Sequence, residues 1–484
     1  MDVLVVVNEP QDWGLSIRGV QVVSARDYLR GGTHSELRRA NVFNLCRSYR
    51  YQSTGYYVSL LAAARGHRPL PSINTIQDLK SQSMVRLVSD ELEEVIQKSF
   101  APIKSQEFVL SIYFGRNLAR RYERLSRQLF NLFPAPLLRA RFVHNRRWQL
   151  TGLSPIAAKD IPETHHDFVI EAASAYFSGR RRHQRRRSTL RYDLAVLHNP
   201  EEPTPPSNPR ALQRFVRAAA AVGFETEFIT RDDYGRLAEF DALFIRETTN
   251  VNHHTFRFAQ RAAAEGLVVV DDPDSILRCT NKVYLAELLT RHRIRGPKTI
   301  IITREDLASL TRTLAFPCIL KQPDSAFSAG VVKVDDGQAF RDAAAHLLDR
   351  SDLIICQEFL PTEFDWRIGV FGRKPLYACR YYMAKSHWQI VRRDDKGRTL
   401  EGDADTLPIG EVPPQVVRAA LRAVNLIGDG LYGVDLKQIG RQVHVIEIND
   451  NPSIDAGVED AVLGQDLYQA IMHGLMQRVE ARKR

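Results

Sequence analysis

From Asp193 onward strands and helices alternate, and this alternation, more than any other feature, restricts what the chain can fold into. Asp193–His198 reads as a strand, the proline-rich stretch Pro200–Pro209 as a loop, and Arg210–Val222 as a helix. Gly223 closes that helix, since glycine best tolerates a left-handed cap. Strands at Glu225–Thr230, Ala242–Ile245 and Leu267–Val270, with a helix at His254–Glu265, complete a small unit of parallel-sheet character. Beyond Asp271 the strands read as antiparallel: Cys318–Gln322, Val331–Val334, Ile354–Phe359, Trp366–Phe371 and Leu376–Tyr382. A helix over Pro414–Ile427 precedes two last strands, Gly433–Ile439 and Val443–Asn449, joined by a tight turn at Gly440-Arg441.

The first part of the chain has a different texture. A strand is expected at Val3–Val7, helices at Tyr56–Arg65 and Asn117–Phe130, strands at Phe108–Phe114 and Leu137–Phe142, and a helical pattern over Pro162–Phe177. The polar-aromatic run Tyr49–Tyr57 reads as a packed loop entering a helix, with a binding surface as the alternative. No internal repeat is visible along the chain. At 484 residues the length suits about three domains.

Charge is concentrated in one place. The net charge is +10, and seven arginines of the segment Arg180–Arg191 account for seven of it. A uniformly basic nucleic-acid coat is thereby excluded. The run Arg180–Arg187 has three readings: a solvated linker, a dock for an acidic protein, or a salt-sensitive RNA contact. It lacks interleaved aromatics, which weakens the RNA reading. No apolar stretch approaches the ~18–20 residues that span a bilayer, so no membrane contact is expected. The five scattered cysteines form no C-x-x-C pair, which argues against a disulfide framework and for a cytoplasmic setting.

The chemistry sits late in the chain. Glu447 and Asn449, two apart on a strand, point to one face, and a suitable hairpin register brings Asp435 beside them. Two carboxylates and an amide oxygen make a hard-oxygen set of the kind Mg²⁺ takes, although polar residues at a strand end are the plainer explanation of that pattern alone. Lys282 follows Thr280-Asn281 at the start of a helix, where a cation can meet phosphate oxygens. Lys321 ends the apolar strand Phe316–Leu320, either to meet a phosphate or to snorkel to solvent. The small-residue loop Asp324–Gly330 lets backbone N–H groups approach phosphates. The pairs His165-His166 and His253-His254 read as structural, because neighbours on a helix do not share a face. His387 is a lone histidine near the expected cleft.

Taken in order, Lys282, Lys321, the small-residue loop, Gln357-Glu358-Phe359-Leu360, Asp365-Trp366-Arg367 and Asp435 … Glu447-Ile448-Asn449 resemble an ATP-grasp enzyme. More narrowly, Ser275-Ile276 … Asn281-Lys282, Gly433-Val434-Asp435 and Glu447-x-Asn449-x-x-Pro452 resemble the RimK-type carboxylate–amine ligases. The resemblance covers about residues 193–484. It implies an α/β fold, α+β in part, with an N-terminal accessory domain over 1–178, a basic linker over 179–192, a pre-ATP-grasp domain over 193–274 and an ATP-grasp domain over 275–484.

The same resemblance implies roles residue by residue. Lys282 and Lys321 would hold the α- and β-phosphates, and the loop with Ser325, Ser328 and Gly330 would close over the β/γ-phosphates. Gln357, Glu358, Phe359 and Leu360 would form the adenine hinge, with Glu363 or Asp365 near the ribose. Asp435, Glu447 and Asn449 would bind two Mg²⁺ ions, with Mn²⁺ as a substitute. Arg367 and Arg380 would face the acyl phosphate or substrate carboxylate, with Arg246 reaching the same cleft. The loop departs from the family in keeping only Gly330 as glycine, with Phe327 in its middle. The implied partners are ATP, a carboxylate substrate and an amine acceptor such as an amino acid, peptide or protein terminus; the sequence leaves open whether the chain forms a homo-oligomer. The implied reaction is amide formation through an acyl phosphate, with glutamate among the amino acids considered. The alternative is an ATP-binding module that contacts RNA or a ribosomal partner through the arginine run.

Overall fold

The computed structural model describes every residue except Met1, Arg18, Ser35, Glu36, Arg38, Arg39, residues 182–189, Thr311, Arg312, and residues 325–329, 385–387, 394–398 and 483–484. It divides into two compact units. One comprises Met1–Thr189 with Asp232–Glu239, the other Leu190–Arg231 with Phe240–Arg484.

In the first unit the strands Gln21–Ser24, Asp2–Val7, Ala40–Asn44 and Arg68–Leu70 form, in that spatial order, an all-parallel sheet. Leu4 to Val7 are buried without alternation, as expected of a parallel strand covered on both faces. A second, antiparallel sheet follows: Glu107–Tyr113, Leu137–Asn145 and Arg147–Pro155. The helix expected from Asn117 begins instead at Glu123. Asn117 uses its side chain locally, accepting from the Ala119 N–H and donating to the Ser111 carbonyl, which holds a loop before the helix. The run Tyr49–Tyr57 is a loop entering the helix Thr54–Ala64, with Ser53 Oγ donating to the Ser48 carbonyl at 2.8 Å, but it is packed only in part, since Tyr51 is 68% exposed.

The second unit opens with another all-parallel sheet, ordered Phe224–Ile229, Tyr192–Leu197, Ala242–Ile245, Val268–Val270. Asn208 caps the helix Pro209–Val222 and Gly223 ends it at φ 104°. An antiparallel sheet comes next, ordered Thr299–Thr303, Leu353–Glu358, Cys318–Lys321, Val331–Val334. A larger antiparallel sheet is ordered Ala404–Leu407, Lys374–Tyr382, Phe364–Phe371, Leu431–Ile439, Gln442–Asn449. One of its faces, with Trp366, Ile368, Val434 and Leu436, packs with residues of the helix Pro414–Val424. The other contributes Tyr377 and Cys379 to a core shared with the parallel sheet and the helix Gln465–Arg482.

The two parallel sheets correct the expectation of no internal repeat. Each places its second strand beside its first, then its third and fourth. From the third strand on, the elements recur 200 positions later: helix Thr54–Ala64 with His254–Ala264, strand Arg68–Leu70 with Val268–Val270, helix Gln82–Glu91 with Lys282–Arg291. Buried positions recur with them, as in Val58 and Phe258, Ala62 and Ala262, Ile76 and Ile276. Side-chain identity has drifted while the burial pattern has persisted, so inspection of letters alone does not reveal the repeat.

Among the described residues no helix is long and apolar enough to cross a membrane. All five cysteines are free and buried.

Candidate active site

The hairpin register brings the expected oxygen donors together. Asp435 stands opposite Glu447 and Gly433 opposite Asn449. Between the pairs Asp435–Glu447 and Leu436–Val445 the second strand carries one extra residue, Ile446, as a bulge. Asn449 Nδ2 lies 3.1 Å from Asp435 Oδ2, so the amide and the carboxylate are in contact. On the neighbouring strand Arg367 stands opposite Asp435 and grips it with both arms of its guanidinium, Nη2 to Oδ2 at 2.8 Å.

Lysines close the other side. Asn281 caps the helix Lys282–Arg291 by accepting from the Val283 and Tyr284 N–H groups, which fixes Lys282 as its first residue. Lys282 Nζ reaches Glu447 Oε1 at 3.1 Å. Lys321 ends its strand between Val331 and Ile355. Burial pushes its ammonium below the usual lysine range, against the pull of Glu447. Burial pushes Glu447 up, but Lys282 and Lys321 outweigh it and hold the carboxyl below its ordinary value. Asp435 moves the opposite way, raised by burial despite Arg367. A cavity of about 240 Å³ is lined by Lys282, Lys321, Gln357, Thr299, Val445 and Ile446. Gln357 Nε2 donates to Thr299 Oγ1 at 3.0 Å.

The remaining expected residues divide. Asp365 shares the Arg367 face and pairs with Lys437 Nζ at 2.6 Å. Lys437 escaped sequence reasoning, although its spacing of two from Asp435 puts both on one face. Glu358 is turned to the main chain of Lys298, accepting its N–H at 2.9 Å. Phe359 packs against Trp388, and Lys333 Nζ lies 5.0 Å from its ring centre. Leu360 is half-buried and Glu363 exposed. Gly330, at φ 73°, accepts the Gln322 N–H through its carbonyl. Ser325, Ser328, Phe327 and His387 lie outside the described residues, as do Arg182–Arg187.

Two arginines depart from expectation. Arg380 stands opposite Trp366, on the face away from Arg367, and pairs with Asp405 at 2.6 Å. Strand alternation therefore separates it from the Asp435 group. Arg246 is fully buried and faces no cleft. Its guanidinium is spent on Ser207 Oγ, Asn451 Oδ1 at 2.7 Å, and the carbonyls of Pro206 and Pro452, so it clamps the turn that follows Asn449.

Comparison with known proteins sets this geometry in context. Residues 25–172 match the family model described as the RimK-like ATPgrasp N-terminal domain. The chain is 28% identical over 264 residues to a probable alpha-L-glutamate ligase of Xanthomonas euvesicatoria, covering 54% of this chain and 84% of that one. It is 24% identical over 237 residues to the alpha-aminoadipate–LysW ligase LysX of Sulfurisphaera tokodaii, covering 46% and 77%. A solved RimK domain ATP-grasp protein from Sphaerobacter thermophilus aligns at TM-score 0.44 and 18% identity, over 58% of this chain and 98% of that one. Over about half its length the chain is thus similar to ATP-grasp carboxylate–amine ligases. Its residues 25–172 are similar to the N-terminal domain of RimK-like ATP-grasp proteins, and the chain is distantly similar to alpha-L-glutamate ligases and LysX.

Proposed function

We propose that the protein joins an amino acid, glutamate foremost, to an amine-bearing peptide, protein terminus or small acceptor at the cost of ATP. The observation that carries this reading is the convergence of Lys282, Glu447, Asp435 and Asn449 beside a cavity lined by Lys282, Lys321 and Gln357. The relatedness to a probable alpha-L-glutamate ligase supports glutamate as the first amino acid to test.

A triphosphate and a carboxylate repel each other, so the site must gather positive charge around both. Lys282 and Lys321 bind phosphate oxygens, Lys282 exchanging its present contact with Glu447 for one with phosphate. Asp435, Glu447 and the amide oxygen of Asn449 would hold Mg²⁺, two ions in our reading, and the donor set of two carboxylates and one amide suits that hard cation. Held by these residues, Mg²⁺ would supply charge neutralisation for phosphoryl transfer. Arg367 orients Asp435 and opposes the burial that raises its pKa, and its guanidinium stabilises the acyl phosphate. The γ-phosphoryl passes to a carboxylate oxygen with release of ADP. The amine nitrogen then attacks the acyl carbon, phosphate departs, and the amine proton leaves to solvent. Gln357 and Thr299 orient the nucleotide at the inner end of the cavity.

ADP release measured over panels of amino acids and amine acceptors tests the reading. Magnesium-dependent turnover with one pairing is the expected result. Clear ATP binding with no turnover across every pairing would contradict it.

A further inference from the structure

Glu247, His253 and His254 cluster at the C-terminal end of the strand Ala242–Ile245, outside the nucleotide cavity. Their ligand atoms all lie within 4.8 Å of one another. Glu247 is buried, with its side chain 3% exposed, which is costly for a carboxylate without a cationic partner. His254 Nε2 lies 2.8 Å from Glu247 Oε1 and is otherwise buried without a hydrogen-bond partner. His253 engages its Nδ1 with Thr255 Oγ1 at 3.1 Å, which leaves Nε2 for another partner. The two imidazole rings stand 4.0 Å apart, centre to centre. The objection that neighbouring helical residues diverge does not apply, because His253 is the N-cap and lies outside the helix.

The internal repeat shows that the turn does not need these residues. At the same positions 200 residues earlier stand Arg47, Ser53 and Thr54. There Arg47 pairs with Asp12 at 2.6 Å, Ser53 is the N-cap, and a helix of the same length follows. Neither Ser53 nor His253 makes a side-chain cap hydrogen bond, so the helix start is built alike in both copies without imidazoles. The second copy thus sets two imidazoles and a buried carboxylate where the first has Ser53, Thr54 and Arg47.

We propose that Glu247, His253 and His254 form a binding site for a divalent transition-metal ion of the zinc class. Two imidazole nitrogens and one carboxylate oxygen suit zinc, and three protein ligands leave a fourth position open for water or an oxygen or nitrogen donor. Zinc at ~2.0–2.1 Å from each donor would draw His253 inward. Thr255 orients the His253 ring, as partners behind metal-bound imidazoles commonly do. The Glu247 carbonyl accepts from Asn451 Nδ2 at 2.7 Å, tying the site to the turn after Asn449. The ends of parallel strands are where such sheets bind ligands. This inference does not rest on the proposed ligase reaction.

The test is zinc titration of the full chain against a chromophoric chelator, with Mg²⁺ in excess to occupy oxygen sites. The parent is expected to hold one zinc per chain. His253→Ser, which installs the residue of the first copy, and Glu247→Gln are each expected to weaken zinc binding by about tenfold or more. Cobalt added to the parent gives an independent readout, a visible spectrum of nitrogen-ligated Co²⁺. A parent that retains no zinc, or variants that hold it as tightly as the parent, would overturn the proposal.

Discussion

Lys282 and Glu447 meet at 3.1 Å, one opening a helix and the other near the end of a strand far along the chain. This contact joins the helix Lys282–Arg291 to the hairpin and brings the nearest cation to Glu447. Lys282→Ala is therefore expected to leave Glu447 without its nearest cation and to abolish ADP release. Saturation kinetics checks this, and activity within a few-fold of the parent would contradict it.

Arg367 and Asp435 form the second fixed pair of the site. Lysine cannot reproduce a two-armed grip on a carboxylate. Arg367→Lys is expected to lower kcat by about 100-fold, the scale on which losing one oriented charge donor acts. Arg380→Lys, on the opposite face, is expected to change kcat far less. Equal losses in the two variants would contradict the face assignment.

Gly369 lies against the Tyr377 ring, and a Cβ there would run into it. Tyr377 is fully buried and cannot swing away. Gly369→Ala is expected to destabilise the chain by roughly 1–3 kcal/mol, as overpacking does. Chemical denaturation of both proteins measures it.

Acid sensitivity is expected from the first unit. His67 is buried, its Nδ1 2.8 Å from the Tyr28 hydroxyl and its Nε2 3.0 Å from the Leu37 carbonyl. Burial holds its pKa below the ordinary value of 6.5, so the unfolded chain binds the proton more readily than the fold does. Its stabilising contribution is present above pH ~6.5 and is lost as pH falls through the lower folded value. His67→Gln is expected to flatten the decline in Tm between pH 7 and pH 5. An unchanged slope would contradict it.

Much of the fold was legible because its strands are short apolar runs with clear ends. Tyr192–Leu197, Ala242–Ile245 and Leu431–Ile439 each fall within a residue or two of expectation. The strand Ala404–Leu407 was not, because it is a half-exposed edge strand, polar at Asp405 and Thr406. The oxygen donors were readable through alternation along one strand, and the hairpin turn supplied the register. Alternation also separates Arg380 from Arg367, but only once their partner strands are known. Arg246 misled because a buried arginine satisfied by carbonyls and an amide has the same letter as one facing a substrate. The repeat was hidden because helices such as Thr54–Ala64 and His254–Ala264 share burial positions but, of eleven side chains, only the last three alanines.

Calorimetric titration of ATP, with and without magnesium, into the parent and Glu447→Gln tests the central claim most directly. The account predicts affinity in the parent that depends on magnesium, and loss of most of that dependence in the variant. Equal ATP affinity in all four titrations would contradict it.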